Sequence, residues 1–250
     1  MRTRLAVVAL AATLVASAAA ADTRAAIGTH LTADRRHIVP GNAAAGAIVI
    51  NLPQRMLFYA SGNQAYDASI AVGRRSWPTP AGAFTIVEKR VDPAWHVPPS
   101  IMRESERLGH ELPPVVPPGP KNPLGKYWLG TSLTGIGIHG TNAPSSISHA
   151  VTHGCIRVGA DDIRRLFETV ALGTPGEVIY EPILIANVDG QIYLEVNADV
   201  YRRLAPRPLD AVRSLAEAAG VASRIDWQAA AAVAAAHEGL ATLVTARPAP

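Results

Sequence analysis

The chain has 250 residues, 48% of them hydrophobic, and a formal net charge of +3 from 23 Lys and Arg against 20 Asp and Glu. That length supports one sizeable core with room for an appendage. With Arg2 and Arg4 set aside the charge falls to about +1, and no run of Lys or Arg occurs, so nothing argues for nucleic acid as a partner. The single cysteine, Cys155, excludes an internal disulfide, which leaves its thiol buried and inert, paired between molecules, or reactive.

In chain order, Arg2 and Arg4 precede an apolar stretch from Leu5 to Val15, then small residues from Ser17 to Ala21, then Asp22. This order predicts a secretory signal peptide over residues 1–21, cleaved near Ala20 and Ala21. Its apolar run is shorter than the roughly 20 residues a spanning helix needs. Export to the periplasm is therefore expected, with no stable membrane insertion after cleavage. Residues 22–45 show little periodicity and are expected to be a flexible lead-in. Strands are predicted from Ala47 to Leu52, Arg55 to Ala60, Ser69 to Val72 and Ala83 to Val87, punctuated by Gly and Pro. Nine prolines between Pro93 and Pro123 mark a stiff flap, with one short helix from Ile101 to Leu108. Strands resume at Tyr127 to Leu129 and Gly135 to His139. A helix opens at Asp161 and Asp162, whose carboxylates suit its N-terminus, with Ile163, Leu166, Phe167 and Val170 on one face. Val178 to Tyr180 and Ile183 to Val188 read as strands, and Asp189-Gly190 as a hairpin turn into Ile192 to Val196. Leu209, Val212, Leu215 and Ala216 repeat at helical spacing, and a second helix is predicted from Asp226 to Val244. The fold class is mostly β, a sandwich or barrel with one packed helix and a proline-rich flap. A catalytic domain over residues 46–200 is followed by a helical C-terminal appendage over 201–250.

The chemistry concentrates in residues 135–158, GIGIHGTNAPSSISHAVTHGCIRV. His139, His149 and His153 all fall within 16 residues of Cys155. An imidazole can take the proton from a thiol, and glycines let backbone N–H groups approach a substrate.

IHGTN followed by THGCIRV resembles the signature of the L,D-transpeptidase family, also called the YkuD domain: a His, a spacer, then Ser/Thr-His-Gly-Cys. IVINLPQRMLFYA, TPAGAFTI, DPAW, LPPVVPPGPKNPLGKYWL and GADDIRRLF are similar to the proteobacterial branch, over residues 46–197. Arg157 stands where many members carry Asn, and no peptidoglycan-binding repeat is evident at the N-terminus.

The resemblance implies Cys155 as nucleophile, His139 as its base and His153 shaping the site with Thr152. N–H groups around His153, Gly154 and Cys155 would form the oxyanion hole, with Gly140 and Thr141 nearby. Arg157 would hold a substrate carboxylate. The implied substrate is a peptidoglycan tetrapeptide stem that loses D-Ala. The acceptor would be an amine of another stem or of an outer-membrane protein, and no metal or organic cofactor is implied.

Other readings stay open. Water could replace the amine, giving a hydrolase, or the groove could bind cell wall without turnover. Cys155 could be a structural thiol, or join His139, His149 and His153 on zinc. Arg157 could simply pair with Asp161 or Asp162. His149 reads as an exposed loop residue, and Trp77, Trp95 and Trp128 as groove or core.

Overall fold

The computed structural model describes residues 27–41, 43, 46–61, 64–203 and 207–247. The expected signal peptide lies outside the described residues. The elements, in chain order, are strands β1 (Ile27–Leu31), β2 (Ile38–Pro40), β3 (Ile48–Asn51), β4 (Met56–Ser61), β5 (Gln64–Gly73), β6 (Gly82–Val91) and β7 (Trp95–His96). Helix α1 (Pro99–Arg107) precedes β8 (Val115–Val116), β9 (Tyr127–Thr131), β10 (Gly137–His139), β11 (Ala150–Thr152) and β12 (Ile156–Val158). Then come α2 (Ala160–Thr169), β13 (Pro175–Ile179), β14 (Ile183–Val188), β15 (Gln191–Val196), α3 (Pro208–Ala218), α4 (Trp227–Ala236) and β16 (Thr242–Leu243).

The larger sheet closes on itself. Its order is β11-β5-β12-β10-β9-β6-β13-β3-β4, and β4 pairs back onto β5. Apolar side chains at every second position point inward, as a period of two requires. Along β6, Phe84 and Ile86 are buried while Thr85 and Val87 face out. Ile48, Ile50, Leu57, Ile70, Leu129, Ile138 and Ile156 complete the core, each contributing about 1.5–3 kcal/mol of burial. Helix α2 packs on this core through Ile163 and Leu166. The stripe predicted from its periodicity is the stripe that is buried. In β3 every residue is buried, because Val49 packs on the other face with Val39, Phe58 and Ile179.

A second sheet has the order β16-β15-β14-β1-β2. Its hairpin turns at Asp189 and Gly190, both at positive φ, as the sequence predicts for an Asp-Gly turn. Ile183, Ile185, Ile192, Leu194 and Val196 face α3 and α4, where Val212, Ala216, Ala230 and Ala234 are buried.

Three expectations are corrected here. Residues 27–40 are no featureless lead-in, since β1 runs parallel to β14 and β2 pairs with β1. Their apolar residues were too few to show a period without the partner strand. The hairpin at 183–196 belongs to this second sheet, so the C-terminal part is α/β rather than purely helical. The last helix ends at Ala236, where His237 takes a left-handed conformation (φ 51°), and the chain then adds β16 beside β15. Asp226 caps that helix by accepting from the N–H groups of Gln228 and Ala229.

A buried carboxylate joins the two sheets. Glu195 on β15 is fully buried and accepts from Ile38 N–H (2.6 Å), Gln54 Nε2 (3.0 Å), Asn197 Nδ2 (3.2 Å) and His37 Nδ1 (3.2 Å). Gln54 sits in the turn between β3 and β4, so this one side chain ties β2, β15 and the barrel together.

Candidate active site

The site grows from two adjacent parallel strands. β10 and β12 pair with Ile138 opposite Ile156 and His139 opposite Arg157. Alternation sends Ile138, Ile156 and Val158 into the core, where each is fully buried. The opposite face receives His139 from one strand, with Cys155 and Arg157 from the other. From Thr152 to Val158 burial alternates residue by residue, and His153, Cys155 and Arg157 are the half-buried ones. His139, Thr152, His153, Cys155 and Arg157 all line one cavity of about 840 Å³. Flap residues Pro98, Ser100, Ile101, Leu112, Val116 and Pro123 form its other wall, and Trp77 and Trp95 flank it.

The tautomer of His139 follows from its partner. Its Nδ1 lies 2.7 Å from the carbonyl of Gly140, which can only accept. Nδ1 therefore carries the proton and Nε2 keeps its lone pair. Burial lowers the His139 pKa to about 4, and the Arg157 charge pushes the same way against the Gly140 bond. The ring is neutral at pH 7. Trp128 stacks on it with 6.0 Å between centroids, and is itself held by Nε1 donating to Glu88 (2.9 Å). A Cβ at Gly137 would fall 2.2 Å from the Trp128 ring, so only glycine lets that ring lie behind His139.

Burial raises the Cys155 thiol pKa, opposed by the Gly137 backbone and the Arg157 charge. Sγ lies 3.5 Å from the Gly135 carbonyl. Both groups are thereby pushed toward their neutral forms.

The turn that carries the thiol is fixed from below. Gly154 has φ 109°, a region open to glycine. Thr152 Oγ1 donates to the Cys155 carbonyl (2.6 Å) and accepts from Gly154 N–H (3.2 Å). Thr79, fully buried, donates to the Gly154 carbonyl (2.8 Å) and accepts from Gly73 N–H (2.9 Å). Tyr201 completes the lattice, its OH accepting from Thr79 N–H and donating to the Gly73 carbonyl.

The remaining expected residues divide. Gly140 is buried, and its part is to orient His139 rather than to face substrate. Thr141 accepts from Ala143 N–H (2.8 Å) in a turn outside the cavity lining. Arg157 donates to Ser146 Oγ (2.7 Å), not to Asp161 or Asp162, and Asp161 instead faces Arg164. The Arg157 Nε is buried and unpartnered among the described residues. His149 is exposed, its Nδ1 turned to the Ile147 carbonyl, so the four-ligand zinc set does not gather in one place. His153 Nε2 donates to Glu104 (2.5 Å), and Arg74 pairs with the same carboxylate. These partners, Arg74 first and His153 second, hold Glu104 down at about 2. The sequence reading missed Arg74, Thr79, Glu104 and Tyr201, whose neighbours give no local signal.

Comparison with known proteins gives the family. The family model for YkuD, L,D-transpeptidase catalytic domain, matches residues 45–179. The chain is 35% identical over 184 residues to "Probable L,D-transpeptidase ErfK/SrfK" of Escherichia coli K12, covering 71% of this chain and 58% of that protein. It is 36% identical over 173 residues to "Probable L,D-transpeptidase YbiS" of the same organism, covering 68% and 56%. The matched region thus spans under three-fifths of these curated relatives. Among solved structures, the catalytic domain from E. faecium L,D-transpeptidase is 24% identical with a TM-score of 0.41, covering 53% of this chain and 95% of that one. Since the family model takes in more than half of the sequence and includes His139 and Cys155, the chain belongs to the YkuD family of L,D-transpeptidase catalytic domains.

Proposed function

We propose that this protein is an exported L,D-transpeptidase acting on peptidoglycan stem peptides in the periplasm. The observation that carries the reading is the cavity in which a neutral imidazole, a lone thiol and a guanidinium share one sheet face. No helix among the described residues is long and apolar enough to cross a membrane.

In this reading a tetrapeptide stem lies between flap and sheet, with its carboxylate on Arg157. Cys155 Sγ attacks the carbonyl at the L-centre of the third stem residue while His139 Nε2 takes the thiol proton. The C–N bond breaks, His139 returns the proton to the departing D-Ala amine, and a thioester remains. An acceptor amine then attacks the thioester, its proton passes to His139, the C–S bond breaks and the thiol is restored. Gly154 N–H is engaged by Thr152, so the N–H groups of His153 and Cys155 are the oxyanion donors we assign. The acceptor is an amine of a second stem or of an outer-membrane protein.

The test is incubation with tetrapeptide-rich peptidoglycan and mass analysis of the muropeptides. Wild type should release D-Ala and form a new amide, and Cys155→Ala should do neither. Intact wild-type protein that releases no D-Ala would overturn the reading.

A further inference from the structure

We propose that Glu104 is a positioning residue that holds the flap shut over the thioester and so sets how much of it reaches amine rather than water. The proposal rests on the acyl-transfer reading above. The floor of the site needs no help from the flap, since Thr152 and Thr79 fix the Gly154–Cys155 turn from below. The roof is different. Asn122, fully buried, ties flap segments to one another through the carbonyls of Pro93, Val116 and Pro117. Among the described residues of α1, Glu104 is the one whose side chain bonds to the floor, with one oxygen on Arg74 and the other on His153.

Glu104 stands four and three residues after Ser100 and Ile101, which line the cavity, so one helix face carries both roof and latch. The latch residues keep some access to water, with side chains 19%, 33% and 29% exposed for Glu104, Arg74 and His153. A contact so placed is weak enough to open for a stem peptide and to close again. Closure excludes water from a bound acyl group. The two fates of the thioester balance alike: amine or water attacks the carbonyl carbon, the C–S bond breaks, and the sulfur takes the attacker's proton through His139. Only the access of water separates them.

Glu104→Ala and Glu104→Gln would be compared with wild type and with Glu106→Ala, which removes the same charge from the exposed face of α1. Incubation with tetrapeptide stems and an acceptor amine gives the ratio of hydrolysed to amine-linked product. Glu104→Ala should raise that ratio about twofold to fivefold, with Glu104→Gln between and Glu106→Ala at the wild-type value. In parallel, Cys155 would be alkylated with iodoacetamide and with a bulky maleimide. Glu104→Ala should speed the bulky reagent more than the small one. An unchanged product ratio, or unchanged relative alkylation, overturns the latch. If wild type makes no thioester, the acyl-transfer reading falls while the alkylation arm still decides whether Glu104 holds the flap.

Discussion

Replacing Thr79 by Val tests whether the thiol is positioned from beneath. The two side chains have nearly the same shape, so the change removes a hydroxyl and little else. That hydroxyl accepts from Gly73 N–H at 2.9 Å and donates to the Gly154 carbonyl at 2.8 Å, in a place with no solvent exposure. Valine would leave both backbone groups without a partner. Each buried orphan costs about 1–3 kcal/mol, so the variant should lose about 2–6 kcal/mol. The loss should also reach the chemistry, because the Gly154 peptide leads directly into Cys155. A misplacement of about 1 Å can cost on the order of a hundredfold in rate. Urea unfolding gives the stability loss as a lower midpoint at unchanged slope, and D-Ala release by the folded fraction gives the rate. A loss below about 0.5 kcal/mol with unchanged turnover would refute the reasoning and leave Thr152 as the sole anchor of the turn.

Acidification should act through His139. Its folded pKa is about 4 against an ordinary 6.5, so the unfolded chain binds the proton first and stability falls as pH drops from about 6.5 to about 4. At about 1.4 kcal/mol per pH unit this amounts to about 3 kcal/mol, and urea midpoints of wild type and His139→Gln across that window should differ by such a slope. The acid limb of kcat/KM should fall near pH 4, and a limb near 6.5 would show that the ring is not held neutral. Glu195→Ala strands the Ile38 N–H, Gln54 and Asn197 donors, and should cost about 3–5 kcal/mol by thermal or urea unfolding. A cost under about 1 kcal/mol would mean that the sheets are joined by other contacts.

What could be read from the sequence was whatever is encoded within a few residues. The stripe of α2 and the Asp189-Gly190 turn are local patterns, and each appears where the pattern puts it. What could not be read depends on partners distant in the chain. β1 and β2 are strands because β14 and Glu195 lie beside them, 157 residues away in the case of Ile38 and Glu195. The alanine-rich stretch ends at Ala236, and after His237 and Gly239 turn at positive φ the chain joins the open edge of β15. Site residues divide in the same way. Cys155, His139 and His153 announce themselves by type and spacing, whereas Glu104 and Thr79 are ordinary residues made significant by what they meet. Gly140 and Thr141 sat in the right motif, but their backbone and hydroxyl are spent on His139 and Ala143.

The electrostatics of the pair also bear on how the proposed export could leave one unpaired thiol intact. Oxidants and alkylators attack thiolate, so a cysteine ionised at rest would be consumed in an oxidising compartment. Here burial raises the thiol and lowers the imidazole, and the charge of Arg157 does not overturn either direction. Moving the proton from Sγ to Nε2 without an acyl group at the sulfur would create two charges that the surroundings disfavour. The transfer becomes worthwhile only as the sulfur bonds to a carbonyl carbon, because the negative charge then passes to an oxygen that backbone N–H groups can hold. In the proposed reaction, nucleophilicity would thus be conditional on a seated acyl group. In the proposed acyl transfer this places weight on the turn beneath Cys155, since the rate would depend on carbonyl, sulfur and Nε2 being already in place.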